Sequence, residues 1–269
     1  MPDTKNLPAI QLQITELVLA GSADHAEAAI NETAEKFGDL AVVEVLNTME
    51  PQVASLHLSS YDGGKLSLAT LLIPAKAWAE SLAYFAASWD DDKIEDEPEA
   101  LAESLFAHIH GVIFSSDDVE RRAELIHEAL STDWGTTAFA VLFSTATEEF
   151  IEIANDIHNL GVSRIGHTTS DHDVTPLALE IAHADEEAWG RVVFELFPDW
   201  VPSETQLKAW REPSEGDEED EDDEDRGHEF AISRSTKQLL QRLRKQVPSK
   251  SLSTAKKGRR PSLGDDIFS

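Results

Sequence analysis

The feature that most constrains this chain is an apparent internal repeat. Val53–Ala75 (VASLHLSSYDGGKLSLATLLIPA) can be set under Val162–Ala184 (VSRIGHTTSDHDVTPLALEIAHA) with no gap. Val53 then meets Val162, Asp62 meets Asp171, Leu68 meets Leu177, Ala69 meets Ala178 and Ala75 meets Ala184. Upstream, Val18–Asp24 (VLAGSAD) pairs with Val112–Asp118 (VIFSSDD). Downstream, Trp78 and Trp89 are spaced as Trp189 and Trp200 are. Blocks that recur in one order predict a unit used twice. After a leader at residues 1–9, the expected copies span 10–89 and 107–213, with an acidic linker and helix at 90–106.

Local patterns give each copy its expected elements. Leu12–Ala20 is aliphatic and partly alternating, which predicts a strand, and Leu40–Leu46 reads the same way. Between them Ser22 and Gly38 bracket a helix as N-cap and C′ residues. Leu56–Tyr61 and Lys65–Ile73 alternate on either side of Asp62-Gly63-Gly64, a hairpin signal. Ala75–Trp89 sets Trp78, Leu82, Phe85 and Trp89 along one helix face. In the second copy Gly111–Phe114 and Phe139–Phe143 read as strands, and helices start at Ser116 and Thr147. Two further strands flank Ser170–Asp173, and a last helix carries Trp189, Val193, Leu196 and Trp200.

The expected fold class is α+β: two tandem copies of a β-α-β-β-β-α unit, a ferredoxin-like α/β sandwich arranged as a pseudo-dimer. An all-helical array is the competing reading, because LATLLI and FAVLF are too short and apolar for periodicity to decide. The four repeated tryptophans read as core anchors in either case.

Charge is divided as sharply as sequence. The formal net charge is −30. Gly227–Ser269 nevertheless holds ten Lys/Arg against three Asp/Glu, a net of about +7. The preceding residues therefore carry about −37, and Glu215–Asp225 (EGDEEDEDDED) supplies ten of those acids. A body of this sign repels nucleic acid and anionic membranes and attracts basic partners at long range. The absence of cysteine excludes disulfides, thiolate metal sites and a cysteine nucleophile. No basic-then-apolar leader and no 18-residue apolar run is present, so a cytoplasmic chain without a transmembrane segment is expected.

Chemistry-bearing motifs are sparse. GxSxG, HExxH, GxxxxGK[ST] and GxGxxG are all missing, so no catalytic residue, cofactor or metal is assigned. His167, Asp171, His172 and Asp173 are the densest candidate metal ligands, set against the ordinary reading of a polar hairpin turn. His108 and His110 alternate on an expected strand, which would put both imidazoles on one face.

The C-terminal region is the best interaction candidate. Residues 214–228 form an expected acidic disordered linker, and 229–269 a basic tail with a short amphipathic helix. Ser235 and Gln238 stand at capping-box spacing before Thr236–Val247. Leu239, Leu240, Leu243 and Val247 make an apolar stripe among Lys237, Arg242, Arg244 and Lys245; Lys256, Lys257, Arg259 and Arg260 follow. This pattern suits an acidic protein groove, nucleic acid through residues 234–260, or the chain's own acidic body.

The functional expectation is a non-catalytic acidic regulatory or adaptor protein that binds a basic protein partner, such as a nucleic-acid enzyme, by charge complementarity. In outline the expected sandwich resembles ferredoxin-like regulator domains that bind and inhibit ribonucleases, a fold-level analogy only. A nucleic-acid-associated protein acting through the tail and a metal-dependent enzyme built on the second copy are the alternatives. Salt adaptation would also explain the acidity, although not the basic tail.

Overall fold

A computed structural model describes residues 6–60, 67–160, 174–199 and 233–248. The described part is 83% helical, with no strand or sheet. Its first six helices are α1 (Leu7–Leu19), α2 (Ala23–Phe37), α3 (Asp39–Thr48), α4 (Pro51–Ser60), α5 (Leu68–Leu72) and α6 (Ala75–Phe85). A 3-10 turn at Ala86–Ser88 leads to α7 (Asp91–Asp96), α8 (Pro98–Ile113), α9 (Val119–Leu130) and α10 (Asp133–Phe143). Then come α11 (Thr147–Leu160), α12 (Val174–Ala184), α13 (Glu186–Leu196) and, after a long gap, α14 (Thr236–Lys245).

The expected α+β sandwich is overturned. Leu12–Ala20 lies in and just beyond α1, Leu40–Leu46 in α3, and Leu56–Ser60 in α4. Lys65–Ile73 contributes α5, Gly111–Phe114 the end of α8, and Phe139–Phe143 the end of α10. Both the Asp62-Gly63-Gly64 turn and the Ser170–Asp173 turn lie outside the described residues, and the segment after the second is α12.

The physical reason is clearest in α10. This helix packs on α6, α8, α9, α13 and α14. Gly135 and every residue from Thr137 to Phe143 are consequently buried. A helix enclosed on all sides needs no polar face, so it loses the 3.6-residue signature and reads like an interior strand. Some helices with a solvent face were legible, although α1, α3 and α4 were not. Ser22 and Gly38 bracket α2 as expected, with Gly38 at φ 84°.

Ser22 makes no side-chain capping bond, but side-chain caps mark several later starts. Asp118 accepts from Glu120 N–H at 3.0 Å, Thr132 from Gly135 N–H at 3.0 Å, and Asp185 from Ala188 N–H at 2.9 Å.

The repeat carries over unevenly. Val18–Asp24 and Val112–Asp118 both cross a helix–turn–helix junction, α1 to α2 and α8 to α9. Leu68 opens α5, however, whereas Leu177 sits inside α12; Ala75 opens α6, whereas Ala184 closes α12.

One hydrophobic cluster runs through the described helices. The α1–α5 helices pack among themselves, α4 passes the core to α6, and α6 passes it to α9 and α10. Trp78, Phe139, Phe143 and Phe150 are among its largest fully buried side chains. Trp189 meets Phe143 edge-on at 6.0 Å, and Trp89 meets Phe85 the same way at 5.5 Å. Trp134 ties α10 to α6 by donating Nε1–H to Ala79 O at 2.8 Å. Trp78, Trp89 and Trp189 are thus core residues; Trp200 lies outside the described residues.

Candidate functional site

The seat of α14 gathers most of the expected interaction residues. Its local start is the capping box read from sequence. Ser235 Oγ accepts from Gln238 N–H at 3.3 Å, and Ser235 N–H donates to Gln238 Oε1 at 3.0 Å. Leu239, Leu240 and Leu243 then fall on one face and are 0% exposed, packed against α7, α8, α10 and the 3-10 turn. Burial of three leucines contributes roughly 5–9 kcal/mol before the cost of ordering the helix. Val247, the last residue of the expected stripe, is only half-buried.

The cations around that stripe meet body carboxylates. Arg234 reaches Glu195 at 3.0 Å, and Arg242 pairs with the same carboxylate. Lys237 pairs with Glu95 and Arg244 with Asp91. Glu195 keeps only 12% of its side chain exposed, whereas Asp91 keeps 89%. The shared Glu195 contact is therefore the strong one, and the Asp91 pair is a salt-screened rim contact. Neutral hydrogen bonds fix the register: Ser144 Oγ to Thr236 Oγ1 at 2.9 Å, and Gln246 Nε2–H to Thr137 Oγ1 at 3.1 Å. Arg234 N–H donates to Leu196 O at 2.8 Å, so the chain re-enters beside the end of α13.

The outward side of α14 is basic. Arg234, Gln238, Gln241, Arg242 and Lys245 line a shallow groove of about 360 Å³, and Arg242 and Lys245 are exposed. Lys256, Lys257, Arg259 and Arg260 lie outside the described residues.

The histidine candidates do not assemble a site. His167, Asp171, His172 and Asp173 lie outside the described residues. His108 and His110 sit on α8 rather than a strand, and two residues of helix turn them away from each other. His108 stacks on Phe85 at 4.8 Å, while His110 lies between Phe106 at 5.4 Å and Phe114 at 4.5 Å. Among the described residues no group of three or more His, Asp or Glu could hold a metal ion.

His108 and His110 are among the residues lining a cavity of about 650 Å³ between α8 and the α4–α5 region, together with Ser59, Thr70 and Phe114. Burial pushes the His108 imidazole down to about 4. Its Nε2 has no hydrogen-bond partner, although the residue keeps some solvent contact elsewhere.

Sequence reasoning missed a buried carboxylate. Glu27 on α2 is 3% exposed. Its Oε2 lies 3.0 Å from His57 Nε2 on α4 and accepts from Ser67 Oγ at 3.2 Å. Its Oε1 accepts from Leu68 N–H and from Ala69 N–H at 3.4 Å, at the start of α5. Burial pushes Glu27 up. The hydrogen bonds from His57, Leu68 and Ala69, with the imidazole's electrostatic attraction, outweigh it and hold the carboxyl below its usual range.

Ser67 donates to the carboxylate and caps Thr70 N–H at 3.1 Å, so this trio clamps three helices instead of activating a hydroxyl. The legible signal was Glu27 itself, beside Ala26 and Ile30 on the apolar side of α2.

Among the described residues no helix is long and apolar enough to cross a membrane. No family model, curated protein or solved structure matches this chain.

Proposed function

We propose that the chain is a non-catalytic acidic regulatory or adaptor protein that binds a basic protein partner by charge complementarity. The carrying observation is that its acidic body already holds one basic amphipathic segment. The α14 helix buries three leucines while Arg234, Lys237, Arg242 and Arg244 meet Glu195, Glu95 and Asp91. A nucleic-acid enzyme is one partner of suitable charge. A cytoplasmic location belongs to the same proposal and is compatible with a cysteine-free chain.

The test is affinity capture from native lysate by the immobilised full chain, at low and moderate salt, with and without nuclease. A basic protein retained after nuclease treatment and released by salt is the expected result. Retention of nucleic acid that disappears on reversing Arg242 and Lys245 would replace this reading with a second one. In that reading the exposed basic groove of α14 is the working surface.

A further inference from the structure

We infer that the surface beneath α14 is a docking groove for a basic amphipathic helix of another protein, with α14 as its competitor in cis. This rests on the adaptor reading and adds to it the surface, the chemistry of the partner, and a means of regulation.

Three observations carry the inference. First, the groove selects for both polarity and charge. A floor shared by α7, α8, α10 and the 3-10 turn takes up Leu239, Leu240 and Leu243, and Glu195, Glu95 and Asp91 stand around it. A fitting partner helix therefore carries leucines at i, i+1 and i+4 and cations at i−2, i+3 and i+5, as α14 does from Leu239.

Second, α14 is held to the body chiefly by side chains: among the described residues the backbone bond at its entry is Arg234 N–H to Leu196 O, and leucine packing and ion pairs supply the rest. It can leave without unwinding a neighbour. Once released it stays covalently attached to the chain, so a free partner must outcompete an intramolecular rival.

Third, the anchors are graded. Glu195 is largely enclosed and shared by two arginines, whereas the Asp91 and Glu95 contacts are open to screening. Salt, or a more basic competitor, acts first on the side of α14 that faces α7, where Lys237 and Arg244 meet Glu95 and Asp91.

The decisive experiment uses the full chain and a fluorescent peptide of residues 233–248, followed by anisotropy at low and half-molar salt. Two variants loosen α14 but leave the groove intact: Leu240→Ala with Leu243→Ala, and Lys237→Glu with Arg244→Glu. The second pair leaves the buried leucines in place, Lys237 and Arg244 being only partly buried, and guards against loss of folding, which circular dichroism checks. The unaltered chain should bind the peptide weakly, and each loosened variant about tenfold tighter or more. Adding Glu195→Gln should abolish that gain.

A folded variant that binds no more tightly than the unaltered chain overturns the inference, as does a gain that survives Glu195→Gln. Polylysine separates this failure from that of the parent reading. If the same variant still binds polylysine in a salt-sensitive way, the adaptor reading stands without this groove; if it does not, both fall. Hydrogen exchange on the unaltered chain gives a second readout. The α14 amides should open together, ahead of those in α10, and exchange of both at one global rate refutes a detachable helix.

Discussion

Replacing Glu27 with glutamine tests whether a buried carboxylate clamps α2, α4 and α5 together. The glutamine is nearly isosteric, so packing is preserved while the charge and part of the hydrogen bonding are removed. In the native chain four donors converge on the two oxygens: His57 and Ser67 on Oε2, Leu68 and Ala69 N–H on Oε1. Glutamine offers one carbonyl oxygen, and its NH2 must face donors on the other side. About two hydrogen bonds to a charged group are lost at roughly 1–2 kcal/mol each, giving a destabilisation of about 2–4 kcal/mol. For a chain of this size that lowers Tm by about 5–15 °C.

The effect should also depend on pH. The folded chain holds Glu27 below the ordinary carboxyl value of about 4.5, so the unfolded chain takes up the proton first. The carboxylate's contribution is complete above pH 4.5 and drains away as pH falls through the lower, folded value. Urea denaturation of both proteins at pH 7 and in steps toward acid measures this. The two stabilities should differ most near neutrality and converge in acid. A difference under about 0.5 kcal/mol at pH 7, or one that is unchanged in acid, would refute the clamp.

His108 should remain neutral until about pH 4, and its ring protons should show no titration shift between pH 8 and 5 by NMR. The unfolded imidazole gains its proton near pH 6.5, so this residue lowers stability as pH drops from 6.5 toward 4. Substitution by Phe keeps the stack on Phe85 and should flatten that slope in thermal melts. Gly135→Ala should cost about 1–3 kcal/mol in urea titrations, because a Cβ there would sit 1.9 Å from Ala129 O, a backbone atom that cannot swing aside. Ser235→Ala should cost about 1 kcal/mol by removing one half of the capping box. Its signature is faster hydrogen exchange in α14 with little change in α10; equal acceleration in both would count against a locally opening helix.

Local chemistry in the sequence determined a good part of this molecule. Gly38 ends α2 because a glycine takes a positive φ at little cost, and Ser22 stands at its N-cap position, although its side chain makes no capping bond; such signals act within a few residues. Ser235, Gln238 and the leucines of α14 were legible for the same reason, as was the burial of Trp78, Leu82 and Phe85 on one face of α6.

Tertiary packing decided the rest. Phe139–Phe143 is apolar enough to be interior strand or enclosed helix, and Leu40–Leu46 is β-branched enough to read as strand although α3 leaves Leu40 and Glu44 exposed. Which they became depended on neighbours: α10 is surrounded by five other helices, and in that setting backbone bonds must close within the segment itself. The Glu27 clamp was hidden because its partners lie 30 to 42 residues away. The tail's charge announced an interaction. Only the folded chain shows that Glu195 on α13 and Glu95 and Asp91 on α7 stand where Arg234, Arg242, Lys237 and Arg244 arrive, since the sequence fixes charge but three-dimensional proximity fixes pairing.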